Sequence, residues 1–135
     1  ALNRRRGCRS SASRRAGMLG AMDDSLRVDS HEVPWRDSPS PGVAWKKLEY
    51  DKTSGRSTVL LRFDPGASYA AHRHPAGEQY LILEGSLQDG AHTWGPGTYV
   101  HHPPGSAHAP RSPAGCLVFV TLPAPIEPLG PDDDA

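Results

Sequence analysis

The chain has 135 residues, room for one domain of ordinary size, and its 15 basic and 15 acidic residues cancel. The cancellation hides an asymmetry: residues 1–21 hold six arginines (Arg4, Arg5, Arg6, Arg9, Arg14, Arg15) and no acid, leaving nine bases against fifteen acids, or −6, in residues 22–135. Nothing in a mildly acidic folded part suggests a nucleic-acid-binding face, though the six arginines of the leader could contact phosphates non-specifically, and no run approaches the ~18 apolar residues of a membrane helix.

In chain order, residues 1–22 read as a disordered basic leader, or as sequence preceding a start at Met18 or Met22, because no hydrophobic stretch of a secretory signal follows the arginines. Residues 23–42 are a polar arm broken by Pro34, Pro39 and Pro41, with Val33 and Trp35 as anchors. From Val43 the pattern changes to short runs with period two: VAWKKLEYD, STVLLRFDPG, EQYLILEG, TYVHH and CLVFVTL, each bounded by Gly, Pro, Asp or Ser. No window of about twelve residues carries an uninterrupted 3.6-residue apolar period, so helix is nearly excluded from residues 43–123 and an all-β, antiparallel sandwich or barrel is expected. Residues 124–135 form a proline-rich acidic tail, with Ile126 and Leu129 as its apolar anchors. The two cysteines, Cys8 and Cys116, make neither a disulfide framework nor a CxxC pair. A reducing, cytoplasmic setting fits, with Cys116 as a small core residue.

The histidines carry the chemistry, six of the seven lying between residues 72 and 108. His72 and His74 are two apart on a strand-like stretch, so they project to one face about 6.6 Å apart at ~3.3 Å per residue and can converge on one ion. Glu78 follows a Pro-Ala-Gly turn and opens a strand whose residues Glu78, Tyr80 and Ile82 share a face. A fourth ligand must come from elsewhere, and His108, after the PPGSAH turn, is the candidate. His101 and His102 are adjacent and face opposite ways, so one points inward, where it can orient substrate or shuttle a proton. His31 and His92 read as surface residues. Leu61, Tyr69, Tyr80, Ile82, Val100 and Phe119 are candidates for an apolar pocket. Arg62 could clamp a carboxylate, Arg73 should face away from the histidines flanking it, and Glu84 reads as a strand-end charge.

Both segments resemble the two signatures of the cupin superfamily. The first runs Gly66, five residues, His72-x-His74, three residues, Glu78, six residues, Gly85. The second runs Gly97, five residues, Pro103-x-Gly105, two residues, His108. The one departure is Ser112, where the second signature usually carries Asn. Within the superfamily the chain is most similar to the ChrR-like cupins, which include the metal-binding domain of an anti-sigma factor and dioxygenases that cleave small diketones and hydroxyketones. The resemblance implies a single-domain jelly-roll barrel, the double-stranded β-helix, and one divalent metal on His72, His74, Glu78 and His108.

Three imidazoles and one carboxylate suit Fe(II), the favoured ion, or Mn, Ni, Co or Zn. Four protein ligands leave positions open on an octahedral ion, as catalysis requires. The expected activity is that of a mononuclear Fe(II) dioxygenase on a small oxygenated substrate of the diketone or hydroxyketone class. Glu78 would double as a base, and His101 or His102 would assist. The alternatives are a ChrR-like sensing module without catalysis, or a metal-dependent isomerase, lyase or cyclase. A homodimer paired through edge strands, with no membrane partner, completes the expectation.

Overall fold

A computed structural model describes residues 24–130. The basic leader with Cys8 and the acidic end beyond Gly130 lie outside the described residues. Among the described residues thirteen strands follow one another: β1 (Arg36–Asp37), β2 (Val43–Tyr50), β3 (Ser57–Phe63), β4 (Ala67–Ser68), β5 (His72–His74), β6 (Glu78–Gly85), β7 (Leu87–Asp89), β8 (His92–Trp94), β9 (Tyr99–His102), β10 (Ser106–His108), β11 (Arg111–Ser112), β12 (Cys116–Leu122) and β13 (Glu127–Pro128). Every pairing between them is antiparallel. The strands fall into three sheets rather than one closed ring, in the orders β1-β2-β3-β12-β6-β9, β10-β5-β13 and β4-β11-β7-β8. This is the expected all-β jelly roll. Among the described residues no helix is long and apolar enough to cross a membrane.

Period two in the sequence becomes a buried face in the fold. In β12 the side chains of Cys116, Val118 and Val120 are buried and those between them half-buried. In β6 Glu78, Tyr80 and Ile82 are buried while Gln79 and Leu83 are exposed. The core joins these to Val43, Val59, Phe63, Tyr69 and Leu87. Ile82, 1% exposed, contributes about 1.5–3 kcal/mol by leaving water. Cys116 is a free thiol in this core, and burial raises its pKa.

Both flanking segments are drawn into the sheets. In the arm, β1 pairs Arg36 and Asp37 with Trp45 and Ala44. Trp35 lies under the Arg62 guanidinium at 4.4 Å and the Lys46 ammonium at 4.8 Å, cation–π contacts that tie the arm to the large sheet. The segment read as a tail returns to the molecule: Glu127 and Pro128 pair with Arg73 and His72 of β5, and the Leu129 N–H donates to the Ala71 carbonyl at 3.0 Å.

The signature residues set the turns that aim the site. Gly85 has φ 73°, and a Cβ there would collide with the Gly115 carbonyl, so only glycine fits. Ser112, fully buried, donates from Oγ to the Ser86 carbonyl at 2.6 Å, and its own carbonyl accepts the Gly66 N–H at 2.8 Å. A serine thus fills the role of a buried polar bracket where the signature usually has asparagine. The turn after β5 and the turn before β10 share an acceptor: the N–H groups of Gly77 and Gly105 both reach the His74 carbonyl, at 3.1 and 2.8 Å. One peptide group on the strand bearing His72 and His74 therefore anchors the turns that deliver Glu78 and His108.

Candidate metal centre

The register of the short sheets collects the donors. His72 and His74 alternate on β5 with Arg73 between them, both imidazoles buried, and β10 places His108 opposite His72. Glu78 opens β6, where the turn through Gly77 delivers it buried beside them. His108 Nε2 lies 2.9 Å from His74 Nε2 and 3.0 Å from His72 Nε2. Glu78 Oε2 lies 3.0 Å from His74 Nε2 and 3.3 Å from His108 Nε2.

Those short contacts cannot all be hydrogen bonds. The Nδ1 of His108 sits 3.0 Å from each oxygen of Asp89, and that of His72 sits 2.7 Å from the Ala70 carbonyl. Carboxylates and carbonyls only accept, so both Nδ1 atoms carry hydrogen and, in the neutral rings, both Nε2 atoms present bare lone pairs. Two lone pairs thus face each other at 3.0 Å with a carboxylate oxygen alongside, and Glu78 Oε2 has no hydrogen-bond partner. The facing lone pairs of His72 and His108 repel each other, and a cation among the donors relieves that repulsion.

His72 does not supply that charge by taking a proton at neutral pH. Burial, reinforced by His108 and His74 and opposed by the Ala70 carbonyl, lowers the pKa of His72 to about 4. A divalent metal fits. Bonds of about 2.1 Å give donor–donor edges of about 3.0 Å around an octahedral ion and about 3.4 Å around a tetrahedral one, and the separations here run from 2.9 to 3.3 Å. The His72, His74 and His108 cluster can therefore hold a metal ion. A second group of potential donors, Glu78, His102 and His108, shares His108 with this cluster, but the Nε2 of His102 is engaged by Asp89 at 2.8 Å.

The lowered pKa of His72 has a consequence for the metal-free protein. Below about pH 6.5 the unfolded chain takes up a proton that folded His72 refuses, so stability falls as pH drops from about 6.5 to about 4, by on the order of 3 kcal/mol in full. Urea unfolding of chelator-treated protein at stepped pH should show this slope, and H72Q should flatten it. An equal slope in H72Q would refute the assignment.

Asp89 is the member of this hydrogen-bonded cluster that the sequence reading missed. Its carboxylate, 7% exposed, accepts from Tyr80 Oη at 2.7 Å and His102 Nε2 at 2.8 Å as well as from His108. Burial pushes its pKa up, but the hydrogen bond and charge of His108, with the bonds from Tyr80 and His102, outweigh this and hold it below the usual carboxylate range. The same arrangement pushes the Tyr80 hydroxyl up, first through burial and then through Asp89. Asp89 shares parity with buried Leu87 on β7, and that alternation was the available signal.

His72, His74, Glu78 and His108 close the buried end of a cavity of about 390 Å³ that reaches the surface near Lys47 and Tyr50. Of the pocket candidates, Leu61 and Tyr69 line it. Tyr80, Ile82, Val100 and Phe119 do not, Tyr80 being turned to Asp89. His101 is exposed and His102 half-buried; His102 is the inward member of the pair, opposite Glu78 in the β6–β9 register, but neither borders the cavity. Arg62 lies on Trp35, and Arg73 donates to the Gly105 carbonyl at 3.0 Å, so neither clamps a ligand there. Glu84, His31 and His92 are exposed, His92 stacking on Trp94.

Residues 23–124 match the ChrR cupin-like domain. Among solved structures, a protein provisionally described as an acetylacetone dioxygenase, from Methylibium petroleiphilum, superposes with a TM-score of 0.77 at 22% identity, over 82% of this chain and 85% of its own. An acetylacetone dioxygenase from Acinetobacter johnsonii gives 0.71 at 14% identity, over 100% and 87%. The polyketide cyclase RemF from Streptomyces resistomycificus gives 0.66 at 21%, over 82% and 89%. No curated protein sequence matches significantly. At these identities the structural likeness speaks for the fold alone, whereas the family match spans most of the chain: the protein belongs to the ChrR cupin-like family.

Proposed function

We propose that the protein is a metal-dependent dioxygenase that holds one divalent ion, Fe(II) by preference, on His72, His74, Glu78 and His108. Its substrate would be a small organic compound with two neighbouring oxygens. The observation that carries the metal is the convergence of two fixed imidazole lone pairs and a carboxylate oxygen. The apolar cavity ending on those donors supports a substrate rather than a closed structural site. Two of the similar structures carry an acetylacetone dioxygenase description, which is the chemistry the donor set suits.

When bound, the ion supplies Lewis-acid polarisation of the paired oxygens and, as iron, access to oxygen chemistry. The chain does the rest. Glu78, buried beside the three imidazoles, would loosen from the ion and accept on its carboxylate the proton released from the carbon between the two oxygens. Asp89 keeps the His108 proton on Nδ1, and His102, reaching the same carboxylate from a half-exposed position, connects that network to solvent. Leu61 and Tyr69 keep water from the reacting carbon. A dioxygenase places both oxygen atoms in product, so no outside reductant is needed. His101 has no part in this reading.

The test is oxygen consumption with a panel of diketones after anaerobic Fe(II) loading, beside elemental analysis of protein purified without added metal. Iron and uptake with at least one diketone are expected. No uptake with any of them would sink the activity. Tightly held zinc with no turnover would favour the second reading, a sensing module, which the family match supports.

A further inference from the structure

The walls of the cavity say more about its ligand than the donors do. Beyond the imidazoles and Glu78, the only charged side chain lining it among the described residues is Lys47, and Lys47 stands at the exposed rim, its ammonium 4.7 Å from the Trp45 ring. Between rim and donors the surface is hydrocarbon and aromatic: Trp45, Val59 and Phe63 from the β2–β3 pair, Val120 from β12, and Ile126 from the returning C-terminal segment. Among the described residues no cation lies along this path to pair with a carboxylate, and burying an unpaired carboxylate there would be strongly unfavourable. Size adds a second constraint. A cavity of ~150 Å³ holds a benzene molecule, and this one measures about 390 Å³.

We infer that the ligand is an amphiphile: a chelating pair of oxygens at one end, and an uncharged apolar body of roughly two ring equivalents filling the path to the rim. Small acids, sugars and the smallest diketones leave most of the cavity wet. The inference rests on the proposed metal only for its oxygen-bearing end. The C-terminal segment takes part in the selection, because Pro125 packs on Gly55, where a Cβ would come within 2.6 Å of the proline Cδ, and so presents Ile126 to the cavity.

Calorimetric titration separates the two ends. Zn(II)-loaded protein is titrated with pentane-2,4-dione, 1-phenylbutane-1,3-dione and 1,3-diphenylpropane-1,3-dione, which share one head and differ in body. Chelator-treated protein is titrated with naphthalene, a two-ring body with no head. The phenyl compounds should bind at least tenfold more tightly than pentane-2,4-dione, and naphthalene should bind the metal-free protein. I126W should weaken the diphenyl compound at least tenfold and pentane-2,4-dione less than threefold. Equal affinities for the three diketones, or no naphthalene binding, would overturn the inference while leaving the metal assignment standing. Naphthalene binding by a protein that takes up no metal would do the reverse.

Discussion

Replacing His72 with alanine is expected to affect the metal-free and metal-loaded proteins in opposite ways. In the loaded protein a ligand is gone, and affinity should fall by more than about 100-fold, beyond what losing a partner behind a ligand costs. In the metal-free protein the same substitution removes one of two lone pairs held 3.0 Å apart, together with a buried imidazole whose burial disfavours its charge. Thermal unfolding of chelator-treated H72A should therefore occur at the wild-type temperature or above it. Wild type should gain several degrees on adding metal, since binding to the native state alone stabilises by mass action, and H72A should gain almost none. A truncated core residue behaves differently, being less stable with or without metal. A marked loss of stability in metal-free H72A would mean that His72 is packing rather than a ligand held against its own electrostatics.

Asp89→Asn comes next in size. The substitution keeps the shape of the side chain, but its amide can donate as well as accept, so His108 is no longer obliged to keep its proton on Nδ1. Half of the lone-pair argument then lapses at Nε2. Metal affinity should fall by about 10–100-fold, read by competition with a chromophoric chelator, although the substituted side chain touches no metal. The network behind Asp89 should register the change too: Tyr80 loses the carboxylate that helps raise its pKa, so ultraviolet titration of its phenol should shift downward. Affinity within about twofold of wild type would remove Asp89 from the site. D89A is the weaker comparison, since it leaves His102, His108 and Tyr80 without a shared acceptor and mixes unfolding with the effect on metal.

The convergence of His72, His74, Glu78 and His108 was legible because its geometry is local. His72 and His74 share a face by alternation, Glu78 and His108 sit just past turns with glycines of positive φ, and the spacings follow a known signature. For Asp89 alternation with Leu87 marks an inward side chain, but nothing near it in sequence shows that β7, three residues long, faces the site from another sheet. Alternation could have decided Phe119, since Val118 and Val120 are the buried members of that strand. It could not decide between His101 and His102, whose direction depends on the pairing of Glu78 with His102. The returning segment was hidden for a different reason. Two residues, one of them proline, show no period, and their pairing with β5 spans more than fifty residues of chain.

That returning segment also sets an order of events during synthesis. The strand carrying His72 and His74 emerges from the ribosome early, but its second edge is paired by Glu127 and Pro128, near the end of the described chain. Until those residues are made, one edge of the ligand strand stays open and the cavity lacks the wall that Ile126 provides. The second edge of β5 and the Ile126 wall of the cavity are therefore completed together, by the last strand of the described residues.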